Sequence, residues 1–267
     1  MSPDPHYSFE HGIDHSGHGG IAPILAIGHK VTAQDFVERD LSGIRGVSVS
    51  QRGLAKTAKW DDLNPGFLFD RLRGIEYLRV LFDDTVNLDA LGHLPALREL
   101  VVDCPKVRGS LQGEMRHLRS AHVRWPDACT AGLNAPHIEK LVLLRPKSED
   151  LTTVGHLTSL VELDVHYSSA LHSLDGIGHF RSLKHLGIHD CSRLAEINIA
   201  EEWPGPAELL IGGCIRFANA TGAQNLRNLR KLAIYRGARG PHEVQLPNVL
   251  KDRGIELDLR GVASTWI

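Results

Sequence analysis

One apolar spacing, L-x-x-L-x-x-L-x-V, recurs along this chain and constrains its fold more than any other feature. It runs from Leu157 to Val165, and related copies begin at Leu94, Phe180 and Leu226. A single copy cannot bury its own apolar side, so the copies are predicted to stack around one continuous core. Aligned on the first residue of the final apolar-x-apolar pair, nine copies follow one another at 20–23 residues, at Leu78, Leu100, Ala121, Leu141, Leu163, Leu186, Leu209, Leu232 and Ile255.

Each copy has two halves with different periods. The second half alternates apolar and polar residues, which predicts a short strand with one buried face. The first half, as in Leu88-Asp-Ala-Leu91-Gly-His-Leu94, places apolar residues three apart, which suits a 3₁₀ or irregular turn. The strands are therefore predicted to form one parallel sheet, centred near Val80, Val102, Val123, Leu143, Val165, Ile188, Ile211, Ile234 and Leu257.

This pattern resembles the short form of the leucine-rich repeat family, over about residues 72–259. The resemblance implies an α/β leucine-rich repeat solenoid, a curved horseshoe with a parallel concave β-sheet and irregular or 3₁₀ turns on its convex side. The family's Asn or Cys, three residues after the second strand apolar residue, forms a ladder that is degenerate here. Cys191 and Cys214 occupy that position and are predicted to be buried; the other copies hold Asp83, Pro105, Pro126, Pro146, Ser168, Gly237 and Arg260.

The repeat boundaries predict four segments. Residues 1–20 are predicted to be a disordered His- and Gly-rich tail, and residues 21–71 an N-terminal cap that covers the open end of the repeats. Within the cap, the alternation over 44–50 predicts an atypical first strand, and Asn64-Pro65 the start of a short helix. The solenoid covers 72–260, and residues 261–267 close it as a C-terminal tail.

Composition narrows the class of partner. The formal net charge is −2 and the pI about 6.8, so a nucleic-acid partner is not expected. The chain shows no secretory signal and no apolar run of membrane-spanning length, which predicts a cytoplasmic protein with no membrane partner. The four cysteines match no zinc spacing, and the tail histidines lie among glycines that would not fix ligand geometry.

We therefore predict a non-catalytic scaffold that binds a protein partner on the concave sheet, such as a bacterial inhibitor or immunity-type protein. No catalytic residue, cofactor or metal is predicted. The alternative is a metal-binding or hydrolytic protein that uses His166, His189 and Asp190, whose side chains lie at the sheet. Aromatic and Arg side chains are typical interface anchors, and the predicted partner-binding residues are Tyr77, Arg79, His122, Arg124, Trp125, Arg145, Asp164, His166, Tyr167, His189, Tyr235 and Arg236.

Overall fold

The computed structural model describes residues 7–13, 21–27, 43–50, 61, 65–83, 85–109, 113–124, 126–235 and 243–267. These residues fall into two compact units, one up to Ile138 and one from Glu139 onward. In the part of the chain that the structure describes, no helix is both long and apolar enough to cross a membrane.

The main sheet of the first unit has six strands. β1 and β2 are antiparallel, and every later pairing is parallel. A second ladder joins β5 to β7 on the turn side of the repeats. The elements are β1 (Tyr7–Ile13), β2 (Ile21–Ile27), β3 (Gly46–Ser50), α1 (Pro65–Arg71), β4 (Tyr77–Leu81), β5 (Val86–Asn87), a 3₁₀ helix (Asp89–His93), β6 (Glu99–Asp103), β7 (Val107–Arg108), β8 (Ser120–Arg124) and α2 (Asp127–Ala131).

The main sheet of the second unit also has six strands, all parallel. A separate two-stranded parallel sheet joins β14 to β16. The elements are β9 (Lys140–Leu144), a 3₁₀ helix (Thr152–Val154), β10 (Glu162–His166), a 3₁₀ helix (Ile177–His179), β11 (His185–His189), β12 (Glu208–Gly212), a 3₁₀ helix (Thr221–Asn225), β13 (Lys231–Tyr235), β14 (Glu243–Leu246), α3 (Val249–Asp252), β15 (Glu256–Arg260) and β16 (Ala263–Trp266).

Equivalent apolar residues of successive repeats lie side by side in the core. Leu163 of β10 pairs in register with Leu141 on one side and Leu186 on the other, and all three are fully buried. The turn-side apolar residues, such as Leu157 and Leu160, are buried beneath the same sheet. This is a leucine-rich repeat fold. The nine strands that the periodicity predicts are confirmed. Among the described residues, 3₁₀ helices occur in four of the eight connections between these strands: β4 to β6, β9 to β10, β10 to β11, and β12 to β13.

The register of the last repeat was predicted wrongly. Leu232 pairs with Leu257, and Ile234 with Leu259, so the final repeat is two residues longer than the alignment on Ile255 implied. The stretch Ile255-x-Leu257-x-Leu259 alternates over three apolar residues, and a shift of two preserves the same buried face. Helix α3, which precedes this strand, accommodates the extra residues.

The chain ends contain more strand than the sequence indicated. Residues 7–13, within the segment predicted as a tail, form β1 and pair antiparallel with β2. Residues 263–266, within the predicted C-terminal tail, form β16 and pair with β14. The cap strand is present as β3, and the cap helix begins at Pro65; its predicted N-cap Asn64 and most of the 1–20 tail lie outside the described residues.

The family's Asn or Cys position is filled by side chains that bond backbone groups. In the second unit Ser168 donates to the carbonyl of Pro146 at 2.9 Å, and Cys191 and Cys214 lie within 3.8 Å of the carbonyls of Val165 and Ile188. Burial of Cys191 and Cys214 is confirmed. In the first unit the position falls one residue earlier: Cys104, not Pro105, is buried, and its thiol lies 3.8 Å from the carbonyl of Val80.

Gly176→Ala is expected to lower the free energy of unfolding by about 1–3 kcal/mol, because Gly176 has φ +91° and a side chain there is strained. A Cβ would also lie 2.6 Å from the backbone nitrogen of Thr152, which cannot move as a side chain would. Gly178→Ala is the matched control, since its nearest neighbour would be 3.9 Å away. Denaturant unfolding of both variants checks this, and equal stabilities would contradict the assigned turn.

Candidate functional site on the strand face

The side of the main sheet that carries the first, third and fifth side chains of each strand is called the strand face here. In the second unit this face is built from aligned rows, because each strand pairs in register with the next. His166 lies beside His189 in the fifth row, and Asp164 lies beside Gly187 in the third. Alternation brings Asp164 and His166 to the same face, and sheet pairing adds His189.

These three side chains form a compact cluster. The imidazole rings of His166 and His189 are stacked, with centroids 4.4 Å apart and an interplanar angle of 10°. Nε2 of His189 lies 3.9 Å from Oδ1 of Asp164. One ligand atom from each of the three residues lies within 4.8 Å of the other two. All three are half-buried, so the cluster is partly shielded but reachable from solvent.

A third histidine holds the carboxylate of Asp164. Nε2 of His185 lies 3.4 Å from Oδ1 of Asp164, and Nδ1 of the same ring lies 3.5 Å from Oε2 of Glu208. His185 therefore bridges two carboxylates on the strands to either side of its own. Such a bridge fixes the ring and the Asp164 carboxylate in one orientation.

Two glycines make room for the cluster. A Cβ at Gly187 would lie 2.0 Å from Oδ1 of Asp164 and 2.9 Å from Nε2 of His189, and one at Gly212 would lie 3.2 Å from Nδ1 of His189. Neither glycine has the positive φ that requires this residue. Glycine weakens a strand interior and marks places where another group approaches closely. At Gly187 that group is the Asp164 carboxylate.

The side chains of the cluster differ in the direction in which their pKa values are shifted. Burial would raise the pKa of Asp164, but the hydrogen bond from His185 and the charge of the neighbouring imidazoles hold it below its ordinary value. The bond to Asp164 raises the pKa of His185. Burial lowers the pKa of His166, with a further contribution from His189, and burial also lowers the pKa of His189. Near neutral pH the site therefore presents a carboxylate and two neutral imidazoles.

The residue after each strand is a second feature of this face. Arg145, Tyr167 and Asp190 have φ between 52° and 58°, and the equivalent Gly213 has φ 66°. The backbone N–H of Tyr167 donates to the carbonyl of His189 at 2.8 Å, so the sheet ladder continues through the left-handed residue. Tyr167 is 55% exposed and Arg145 is exposed as well.

Other predicted binding residues are already engaged within the protein. The hydroxyl of Tyr235 donates to Asp258 at 3.3 Å, and its ring lies beneath the guanidinium of Arg260. In the first unit Arg124 forms an ion pair with Asp103 and lies 3.6 Å from Asp83. These contacts remove much of their capacity to bind a partner's charge.

The remaining predicted residues divide into three sets. Arg79 and His122 are exposed on the strand face of the first unit, and Tyr77 is half-buried there. Trp125 and Arg236 lie outside the described residues. Asp190, part of the alternative site, is not a member of the His166–His189–Asp164 cluster; its carboxylate lies over Gly213 of the next repeat.

Sequence analysis assigned no role to the two residues that support the cluster. His185 and Gly187 carry no motif of their own. Gly187 does carry a signal, because the third strand position holds Asp164 and Leu210 in the adjacent repeats, and among the nine repeats Gly187 alone lacks a side chain at this position. Comparing that position across the repeats would have found the opening above Asp164.

Comparison with known proteins finds similarity in structure but not in sequence. No family model matches the chain. No curated protein matches its sequence. Among solved structures, the chain is similar to an internalin from Listeria monocytogenes, with 15% sequence identity and a TM-score of 0.49, over 91% of this chain and 82% of that one.

Proposed function

We propose that this protein is a non-catalytic interaction scaffold that binds a protein partner on the strand face of its second unit. The observation that carries the proposal is the left-handed backbone of Tyr167. A bulky residue at positive φ is an outlier that costs about 1–3 kcal/mol, and the same position holds glycine at Gly213 and Gly261. The chain keeps an exposed aromatic ring where glycine would be more stable, which points to a role for the ring itself.

The neighbouring side chains suit an interface. Arg145 lies one repeat before Tyr167 and also tolerates positive φ while exposed. An aromatic ring with few rotatable bonds and an Arg guanidinium are frequent hot spots in protein interfaces. Arg145 would meet an acidic surface of the partner, and Glu162, which pairs with Lys140 at 2.7 Å, adds negative charge to the same face. Mixed charge of this kind favours a folded protein over a polyanion.

For the kind of partner and the compartment, the proposal keeps the hypothesis made from the sequence. The partner would be a toxin or enzyme that this chain inhibits, as an immunity-type protein does, and the complex would form in the cytoplasm. The cysteines support a reducing compartment, since all four are free.

Tyr167→Gly is expected to separate stability from binding. Removing the ring should weaken partner binding about tenfold or more, while relief of the left-handed strain should leave the melting temperature unchanged or higher. Tyr167→Phe is the matched control, because it keeps both the ring and the strain. Arg145→Glu should also weaken binding without loss of stability.

The measurement begins with a partner captured from the native cell by the wild-type protein. Calorimetry then gives its affinity for each variant, with Arg181→Glu, in the loop before β11, as a charge-reversal control away from the strand face. Unchanged affinity in Tyr167→Gly and Arg145→Glu, or loss only in Arg181→Glu, would move the interface off this surface.

A hydrolytic function has weaker support. The sequence His189-Asp190-Cys191 contains a base and a nucleophile, but the thiol of Cys191 is buried in the core and lies 3.8 Å from the carbonyl of Val165. His189 lies on the strand face. The two side chains therefore occupy opposite sides of the sheet, and His189 cannot activate that thiol.

A further inference from the structure

We propose that Asp164, His166 and His189 form a binding site for one divalent transition-metal ion of the zinc class. The three ligand atoms converge within 4.8 Å on two neighbouring strands. Those strands are hydrogen-bonded in register, so the backbone positions of all three ligands are fixed before an ion arrives. This inference departs from the sequence-based expectation that no metal is bound.

The donor set decides the class of ion. Two imidazole nitrogens and one carboxylate oxygen suit zinc and the neighbouring transition metals, whereas calcium and magnesium prefer oxygen ligands alone. Ligand atoms around a tetrahedral ion at about 2.1 Å lie roughly 3.4 Å apart. Nε2 of His189 and Oδ1 of Asp164 lie 3.9 Å apart, and side-chain rotation would bring all three ligand atoms, now within 4.8 Å of one another, to the tetrahedral spacing.

The surroundings favour a built site over a chance group of surface side chains. Gly187 leaves the space that the Asp164 carboxylate fills, and any larger residue would displace it. His185, itself held by Glu208, contacts Oδ1 of that carboxylate at 3.4 Å and so restricts its orientation. Hydrogen-bonded partners of this kind set the orientation and affinity of a metal ligand. Three protein ligands leave at least one coordination position to solvent on the strand face.

The test is a calorimetric titration of the full chain with zinc chloride, after treatment with a chelator. The wild type is expected to bind one equivalent. Asp164→Asn, His166→Gln and His189→Gln should each weaken binding about tenfold or more. Gly187→Ala should weaken it as well, although it retains every ligand. A cobalt(II) titration gives a visible absorption spectrum that should change in the same four variants.

Two controls separate this site from other histidines. His172→Gln removes an exposed histidine of the second unit and should bind as the wild type does. A fourfold variant, with His6, His11, His15 and His18 changed to Gln, tests the N-terminal tail and should also retain binding. Circular dichroism establishes that each variant is folded. The proposal would be overturned if the wild type binds no zinc. It would also be overturned if the tail variant loses binding and the site variants keep it. The wild-type titration can therefore contradict the proposal even if a site variant fails to fold.

Discussion

Leu163→Asp is expected to unfold the second unit. Leu163 lies at the second position of β10, is fully buried, and packs between Leu141 and Leu186 of the adjacent repeats. Loss of a buried leucine costs about 2–5 kcal/mol, and an unpaired buried carboxylate adds several more. Together these costs are comparable with the free energy of unfolding of a typical folded domain, about 5–15 kcal/mol.

The measurement is far-UV circular dichroism with a thermal melt. Thr158→Asp is the control, because it places the same charge at an exposed position of the same repeat. That variant should melt near the wild type. A Leu163→Asp protein with an unchanged melting transition would show that the residue is not in the core, and the assignment of buried and exposed rows would fail with it.

Ser168→Ala is expected to lower the free energy of unfolding by about 2–5 kcal/mol, the second largest effect after Leu163→Asp. The buried hydroxyl of Ser168 donates to the carbonyl of Pro146 and accepts from the backbone N–H groups of Ala170 and Leu171. Alanine leaves these three backbone groups without that partner. An unsatisfied buried polar group costs more than its hydrogen bond contributes.

Ser168→Cys is the informative comparison for that prediction. Cys191 and Cys214 fill the equivalent position in the next two repeats, so the site accepts a thiol of similar size. A thiol bonds more weakly than a hydroxyl, so the cysteine variant should lie between the wild type and alanine in urea-induced unfolding. Equal stability of the alanine and wild-type proteins would mean that these bonds contribute nothing to the repeat.

The sequence predicted correctly the features that recur in every repeat, and it predicted poorly those that are specific to one repeat. The strand positions depend on alternating apolar residues that repeat with the stack, and Leu163 and its equivalents are where the period puts them. The register of the last repeat was predicted wrongly because Leu257 and Leu259 both satisfy the alternation. Only the pairing with β13 selects between them. The alignment placed Pro105, not Cys104, at the buried position after β6, because the turn there is one residue shorter than the alignment assumed.

The candidate site was only half predictable for a related reason. The sequence placed Asp164, His166 and His189 on one face, since alternation fixes the side of the sheet on which a side chain lies. It could not choose Asp164 over Asp190 as the carboxylate that joins the two histidines. That choice depends on the positive φ of Asp190, which turns its carboxylate toward Gly213.

What the sequence determined by itself is the repeat, its parallel strands and the identity of the buried rows, because these follow from apolar periodicity along the chain. What only the tertiary structure decided is which side chains meet across strands. The stacking of His166 on His189, the bond of His185 to Asp164 and the space above Gly187 each depend on the register between separate repeats. Register is a property of the paired sheet, and residues more than twenty positions apart in the chain come into contact only there.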